Sequence, residues 1–268
     1  MRTLLKSSAE RHPTVGKLDY YSLSDRGRVR SQNEDNWFAD VQQGLFMVSD
    51  GMGGQTAGAL ASKIVVEVLP ILIRQRMAEI KDLGLPFAAK RLQAVLCELS
   101  GQLRAKTQSE PGLAGMGATV VLGLIRRNQA LIAHMGDSRA YLLRQLRLKR
   151  VTKDHSITQL LVEKGDITPA QAATHPTRGR LTRFVGMDGE PLPKVQLLVI
   201  RPGDRLLLCT DGLTSMVNDG RLRSILASRA GIGVTCKHLV DAANAAGGQD
   251  NVTALLVEVV GTLIGSKR

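Results

Sequence analysis

The sequence predicts an α+β fold in which antiparallel β-sheets are covered by helices. Three observations favour this class. Short β-rich segments occur in pairs separated by polar or glycine turns, helical periodicity comes in groups rather than after every strand, and 43% of the 268 residues are hydrophobic. A parallel sheet would instead alternate strands with crossover helices. We see no internal repeat or linker, so we expect one domain, residues 1–268, with its core at about 18–260.

The first half of the chain predicts three strands followed by two helices. The strands are residues 18–23, 37–41 and 45–49. A helix over 56–69 should break or kink at Pro70. Pro86 suits the first turn of a second helix, whose apolar residues recur at helical spacing: Leu92, Val95, Leu96, Leu99 and Leu103.

The second half returns to strands before ending in helices and a final strand. Asp154 is the predicted N-cap of a helix that Gly165 ends, and Thr168 starts a capping box. Residues 175–193, rich in glycine and proline, predict an irregular surface loop. The other predicted elements are strands at 118–125, 130–135, 140–144, 146–151, 195–200, 205–209 and 251–260, and helices near 220–228 and 235–245.

Composition narrows the possible functions. The net charge is +12 with a pI near 10.1, but the cations are spread along the chain. This favours a generally basic surface over a dedicated nucleic-acid face. Aromatic residues make up only 3%, which argues against a stacking platform for single strands. No apolar run is long enough to span a bilayer, no signal peptide is visible, and three unpatterned cysteines suit a reducing cytoplasm.

Four aspartates fall at the ends of predicted strands, each close to glycine: Asp50, Asp137, Asp211 and Asp250. If these ends share one edge of the layered sheets, the carboxylates converge and repel unless a cation neutralises them. Oxygen ligands without a Cys/His cluster suit Mg²⁺ or Mn²⁺. Any one Asp-Gly pair could be a simple turn, and the glycines at 51–54 could cradle a phosphate, although the established phosphate-loop pattern is missing. The coincidence of four slightly favours a metal site.

Eight segments together match one protein family in the same order along the chain. They are SDRGRVRSQNED (24–35), VSDGMGG (48–54), GAT (117–119), HMGDSR (134–139), DHS (154–156), HPTRGRLTR (175–183), TDGL (210–213) and QDNVT (249–253). With these segments the chain resembles the metal-dependent serine/threonine protein phosphatases of type 2C (PPM), in their bacterial form. The resemblance covers about residues 18–260. Each motif alone is weak, but the set is specific.

The resemblance implies a sandwich of two antiparallel β-sheets flanked by antiparallel helix pairs, with a two-metal Mn²⁺ or Mg²⁺ centre at one edge and a flap at about 165–192. Asp50 would bridge both ions, Asp137 would serve a looser third ion, and Arg30 would bind the substrate phosphate. The full set of implied metal ligands is Glu34, Asp50, the carbonyl of Gly51, Asp137, Asp211 and Asp250. Asp35 could hydrogen-bond a metal-bound water or simply anchor its turn.

The implied activity is hydrolysis of phosphoserine and phosphothreonine in proteins, with a hydroxide shared by the two ions as nucleophile. Phosphoproteins, and a bacterial serine/threonine kinase or its substrates, would be the partners, with no nucleic acid and no membrane insertion. Met52 stands where eukaryotic relatives have a histidine assigned as general acid. His155 and His175 are alternative proton donors by residue type only, and we favour structural roles for both.

Two other classes stay open on the sequence alone. One is a catalytically weak relative that only binds phosphoproteins. The intact site residues argue against it: Arg30, Asp50, Asp211 and Asp250. The other is a basic nucleic-acid-binding domain, which would not need aspartates at these strand ends. Metal-dependent hydrolysis of an aryl phosphate would separate all three.

Overall fold

Two antiparallel β-sheets stack on each other in the computed structural model, which describes residues 18–53 and 55–261. The strands are β1 Leu18–Asp25, β2 Asp35–Asp40, β3 Leu45–Met52, β4 Gly117–Ala118, β5 Val120–Arg126, β6 Gln129–Met135, β7 Arg139–Arg144, β8 Arg147–Arg150, β9 Lys194–Val199, β10 Arg205–Cys209 and β11 Val252–Val259. One sheet has the order β1-β11-β10-β7-β8. The other has the order β2-β3-β5-β6-β9, with β4 pairing to β3.

The helices form the outer layers of the sandwich. They are α1 Gln55–Met77, α2 Pro86–Ser109, α3 Ile157–Lys164, α4 Pro169–Ala172, α5 Asp211–Thr214, α6 Asp219–Leu226 and α7 Ile232–Ala245. The helices α1 and α2 pack together, and α1 lies against β3, while α7 covers β1 and β11. This arrangement confirms the predicted α+β sandwich with flanking helices.

Alternation along β3 shows how the sequence builds these layers. Phe46 and Val48 point into the core between the two sheets, while Leu45 and Met47 point into the core beneath α1 and α2. Successive side chains of a strand face opposite sides of a sheet. A central strand that is covered on both sides therefore has apolar residues at every position. A third core lies between the other sheet and α7.

The first helix was predicted to break or kink at Pro70, and the break is wrong, because α1 continues through Pro70 to Met77. Proline removes one helical hydrogen bond, but Leu69, Ile73 and Met77 are buried along one face of the helix. Burial of this stripe outweighs the lost hydrogen bond.

Asp154 does not cap α3, as the sequence had predicted. Ser156 is the N-cap and accepts a hydrogen bond from the Gln159 amide. The Asp154 carboxylate instead binds the guanidinium groups of Arg139 and Arg150, which are charged partners stronger than a backbone amide.

Other local predictions are confirmed. Gly165 ends α3 in the left-handed conformation, with φ 82°, and Thr168 forms a capping box with Gln171. The loop between α4 and β9 has no regular element. The predicted strands on either side of residues 201–204 exist, but β9 and β10 belong to different sheets, so this turn carries the chain across the sandwich. In the residues described, no helix is both long and apolar enough to span a membrane.

Candidate metal centre

Six acidic residues lie where several strands begin or end at one edge of the sandwich. Asp35 and Asp50 are direct partners in the β2–β3 ladder. The predicted ligand Asp211 follows β10 as the first residue of α5, and Asp250 comes just before β11. We call the whole group the carboxylate edge: Glu34, Asp35, Asp50, Asp137, Asp211 and Asp250. Antiparallel pairing places the start of one strand beside the end of the next, which explains this convergence.

Glycines allow the backbone to close around this edge. A Cβ on Gly58 of α1 would lie 2.8 Å from Glu34 Oε1 and 2.9 Å from the carbonyl oxygen of Gly51. The side chain of Glu34 and this carbonyl thus face one narrow space above Gly58. On the other side, a Cβ on Gly212 would lie 2.0 Å from the carbonyl oxygen of Asn251. Because glycine has no Cβ, the start of α5 can pack directly against the residues that precede β11. These close approaches of the backbone position two pairs of predicted ligands, Glu34 with the Gly51 carbonyl and Asp211 with Asp250.

The carboxylates of this edge raise one another's pKa values. The pKa of Asp50 is well above its usual range, first because of burial and then because of the charges of Asp35, Asp211 and Asp137. Burial is also the largest cause for the raised pKa of Asp211, followed by the charge of Asp250. A group of buried anions this close is unfavourable unless a proton or a cation neutralises it.

One buried oxygen without a hydrogen-bond partner shows where a metal ion could bind. Asp211 Oδ1 is buried without a hydrogen-bond partner, although buried carboxylate oxygens are normally satisfied. Oxygen-only donors of this kind suit Mg²⁺ or Mn²⁺. Over 18–53 and 55–261, no three Asp, Glu, His or Cys side chains lie close enough together to hold a metal ion by themselves. The residues therefore fit divalent ions as an open group of anionic donors.

Asp137 joins the edge from the turn between β6 and β7. Burial raises its pKa well above the usual range, and the charges of Asp211 and Asp154 raise it further. Gly136 precedes it with φ 108°, a conformation that favours glycine. The six predicted ligands are thus in one region.

Asp35 is anchored inside this group. Its Oδ2 accepts hydrogen bonds from the hydroxyls of Thr210, at 2.8 Å, and Thr253, at 2.7 Å. Its Oδ1 is buried and unpartnered. Burial raises the pKa of Asp35 to about 7, with further contributions from Asp211 and Asp250. The anchoring role is therefore present, and one oxygen remains available to another donor.

Arg30 lies against the carboxylate edge with half of its side chain exposed. Its Nη2 donates to Asp250 Oδ2 at 2.8 Å. No other hydrogen bond of this guanidinium is formed within the described part of the chain, so further donors remain for an anion. The sequence predicted a phosphate-binding role for Arg30, and its position at the rim is compatible with that role.

Asn251 fixes the loop that carries Arg30, and sequence reasoning did not single it out. Its Nδ2 donates to the carbonyls of Arg26, at 2.9 Å, and Gln32, at 2.8 Å. Its Oδ1 accepts from the amide of Glu34 at 2.8 Å. In the sequence, the feature that could have pointed to Asn251 was its position next to the predicted ligand Asp250 in the QDNVT segment.

The predicted flap connects to the site through backbone contacts. The amide of Thr182 donates to the carbonyl of His155, and Val185 pairs with Ala118 beside β3. His155 stacks on His134 with ring centroids 4.5 Å apart, and burial lowers the pKa of His155 to about 3. His155 is therefore a neutral, packed side chain, in line with a structural role.

Comparison with known proteins agrees with this geometry. The family model for protein phosphatase 2C matches residues 26–243. The serine/threonine phosphatase stp of Listeria welshimeri is 36% identical over 239 residues, which cover 88% of this chain and 93% of that protein. The crystal structure of the Mycobacterium tuberculosis serine/threonine phosphatase PstP has a TM-score of 0.81 at 35% identity and covers 91% of this chain and 100% of its own.

A second PstP structure bears on the metals. It is the catalytic domain in complex with two manganese ions, with a TM-score of 0.78 at 34% identity, covering 91% of this chain and 99% of that one. A divalent metal requirement follows from this similarity together with the donor set at the carboxylate edge. The chain belongs to the protein phosphatase 2C family and is a protein serine/threonine phosphatase of the bacterial form.

Proposed function

We propose that this phosphatase uses two core divalent ions, Mn²⁺ or Mg²⁺, at the carboxylate edge to hydrolyse phosphoserine and phosphothreonine. The observation that carries the proposal is the group of mutually repelling carboxylates around Asp50, with the unpartnered Asp211 Oδ1 among them. Such a group is favourable only when neutralised, and a phosphate dianion would not approach it without cations.

The contacts divide the donors into two sides. Glu34 and the Gly51 carbonyl face the space above Gly58, and Asp211 lies beside Asp250. Asp50 directly precedes Gly51 of the first side, and the charges of Asp211 and Asp250 from the second side raise its pKa, so we assign it the bridging position between the two core ions. We assign Asp137 to a third, more weakly held ion. When bound, the ions would activate water for attack on phosphorus and neutralise charge on the phosphoryl oxygens.

The protein's own groups orient the substrate and hold the anions. The free donors of the Arg30 guanidinium match phosphate oxygens in a bidentate geometry. Asn251 keeps the Arg30 loop in place, and the two threonine hydroxyls keep Asp35 from turning away from Asp50. Met52 has no proton to give and His155 is neutral, so neither protonates the departing serine or threonine alkoxide.

The test is a phosphopeptide assay on the wild type, Asp50→Asn and the control Glu79→Gln, which also removes one negative charge, at an exposed position just beyond the end of α1 and outside the flap. Chelation should abolish wild-type turnover. Asp50→Asn should bind Mn²⁺ more weakly and lose about a thousandfold or more in kcat, because an amide offers one neutral oxygen where two anionic ones are needed. Glu79→Gln should behave as wild type. Near-normal turnover of a folded Asp50→Asn at saturating Mn²⁺ would refute the bridging assignment.

We further propose that the whole chain is one catalytic domain that acts in the cytoplasm on the products of a serine/threonine kinase. Support comes from the motifs, which extend over nearly all of the chain, and from the phosphoprotein substrates implied by the family. Phosphoproteomics of a deletion strain should show raised phosphoserine and phosphothreonine on a limited set of proteins. An unchanged phosphoproteome would remove the kinase-opposing role.

A further inference from the structure

The hydrogen bonding of β3 with its neighbours changes at Asp50, the predicted bridging ligand. The strand pairs with β5 and then with β4 in one continuous register, which places Asp50 directly opposite Thr119. A hydrogen-bonded pair in an antiparallel ladder normally exchanges two backbone bonds. Here the Thr119 amide donates to the Asp50 carbonyl at 2.8 Å, but the Asp50 amide donates to the Thr119 hydroxyl at 3.0 Å. The Thr119 carbonyl accepts instead from Ser49 Oγ at 2.7 Å.

The Thr119 hydroxyl has a second partner, in the turn that carries Asp137. Its Oγ1 lies 2.7 Å from Ser138 Oγ, and both hydroxyls are buried. A regular ladder bond to the Thr119 carbonyl would have satisfied the Asp50 amide without any hydroxyl. What the exchange adds is therefore a connection between the backbone of Asp50 and the residue next to Asp137.

The backbone of the same turn packs on Thr119. A Cβ on Gly136 would lie 2.6 Å from both Cβ and Cγ2 of Thr119, so only glycine lets the turn approach this closely. The methyl group of Thr119 thus contacts the residue before Asp137, and its hydroxyl contacts the residue after it. The charge of Asp137 is also one of those that raise the pKa of Asp50, so the two carboxylates are electrostatically linked as well.

We propose that Thr119 is a positioning residue that couples the two core ions to the third ion. This inference rests on the proposed function, in which Asp50 bridges the core pair and Asp137 holds the third ion. When Asp50 is fixed in the bridging position, its amide fixes Thr119 Oγ1, and the bond to Ser138 holds the turn so that Asp137 faces the third site. Such coupling is reciprocal, so an ion at Asp137 also strengthens the core.

Equilibrium dialysis against Mn²⁺, with the bound ions counted from micromolar to millimolar concentration, tests the coupling. Thr119→Val removes the hydroxyl and keeps the branched shape. We expect the third ion to bind at least about tenfold more weakly. The core ions, which bind at lower concentration, should change less than about threefold, because the Asp50 carboxylate is intact and the Thr119 amide still donates to its carbonyl.

Two further variants serve as controls. Thr119→Ser keeps the hydroxyl and should bind the third ion within about threefold of the wild type. Thr235→Val also removes the hydroxyl of a fully buried threonine, in α7, where it donates to the carbonyls of Ala230 and Gly231. It should leave the binding of all ions unchanged. Thermal melting in EDTA shows whether each variant is folded.

Ser138→Ala cuts the same link from its other end, while the Asp50 amide keeps its bond to Thr119. It should also weaken the third ion about tenfold, and it carries the test if Thr119→Val does not fold. The double variant Thr119→Val/Ser138→Ala should bind the third ion no more weakly than the weaker single variant, because both changes break one connection. Two independent packing defects would instead have additive effects.

Three results would overturn the proposal: unchanged binding of the third ion in Thr119→Val, an equal loss in Thr235→Val, or additive losses in the double variant. Asp137→Asn keeps this inference apart from the proposed function, since it should lose the third ion without help from Thr119. If Asp137→Asn loses that ion and Thr119→Val does not, the coupling is wrong and the third site stands. If Asp137→Asn keeps every ion, the third-ion assignment is wrong, and the coupling with it.

Discussion

Asp35→Asn should stabilise the metal-free protein at neutral and higher pH. Burial raises the pKa of Asp35 from its usual 3.8 to about 7, and the hydrogen bonds from Thr253 and Thr210 offset only part of this effect. Between these two pH values the folded protein holds a proton that the unfolded chain has released. The free energy of unfolding therefore falls as pH rises from about 4 to about 7, and above that range ionised Asp35 is destabilising.

The size of the effect follows from the same values. A rise from 3.8 to about 7 is roughly three pH units, which corresponds to at most about 4 kcal/mol. Neighbouring carboxylates share the proton, so we expect the substitution to recover about half, or about 2 kcal/mol. For a chain of this size that is a rise in Tm of about 4–8 °C. Asparagine keeps an oxygen for the two threonine hydroxyls and presents an NH₂ to the carboxylates.

Thermal melting in EDTA at about pH 5 and about pH 8 is the assay. At the lower pH only a minor part of the cost of Asp35 is present, so the variant should melt slightly later than the wild type, and at the higher pH, where the full cost is present, the difference in melting temperature should be clearly larger. Asp166→Asn, at an exposed site, controls for the general loss of one negative charge. A gain of the same size at both pH values, or no gain at the higher one, would refute the reasoning.

Three further predictions concern the site. Arg30→Ala should lower kcat/KM on phosphopeptides by about tenfold to a hundredfold, while Mn²⁺ affinity stays close to normal. Steady-state kinetics and calorimetry measure these two quantities. An equal loss of Mn²⁺ affinity would show that Arg30 has a structural role instead. Asp137→Asn should keep the tight Mn²⁺ sites but lose turnover, and unchanged rates across a Mn²⁺ titration would contradict the third-ion role. Gly58→Ala should weaken Mn²⁺ binding and destabilise the fold by about 1–3 kcal/mol, because its methyl group would lie 2.8 Å from Glu34 Oε1. Gly101→Ala in α2, where a Cβ meets nothing within 4 Å, is the matched control and should stabilise by about 0.5–1 kcal/mol.

Local patterns in the sequence were sufficient for most elements of the fold. The strands, the end of α3 at Gly165 and the capping box at Thr168 depend on residues close together in the chain. Pro70 and Asp154 were misjudged because packing and competing ion pairs, which local propensity does not report, decide their roles. A buried face stabilises the helix through Pro70, and the Asp154 carboxylate binds Arg139 of β7 and Arg150 at the end of β8 instead of capping α3. The one-turn helix α5 is too short to show a period.

The residue types of the candidate site could be predicted from the sequence, but the hydrogen bonds that hold these residues in place could not. Aspartates next to glycine at strand ends indicated metal ligands, and the motifs added Glu34 and Arg30. The hydrogen bonds that hold the site join residues far apart in sequence. Asn251 binds carbonyls and an amide more than 200 residues earlier, and Asp35 is bound by Thr210, between β10 and α5, and by Thr253 of β11. No pattern in a single sequence reports such pairs.

The pairing of β1 with β11 has a consequence for how the enzyme is made. These strands lie side by side although they come from opposite ends of the described chain, and Asp25 pairs with Val252, just after Asp250. Synthesis proceeds from the N-terminus, so the first motif leaves the ribosome long before the last one exists. Closing so long a loop is slow, and its entropy cost comes before any contact compensates it. A nascent chain can therefore fold its helices and β-hairpins before Asp250 and β11 have joined the carboxylate edge, so we expect no activity until this last motif has been synthesised and paired with β1.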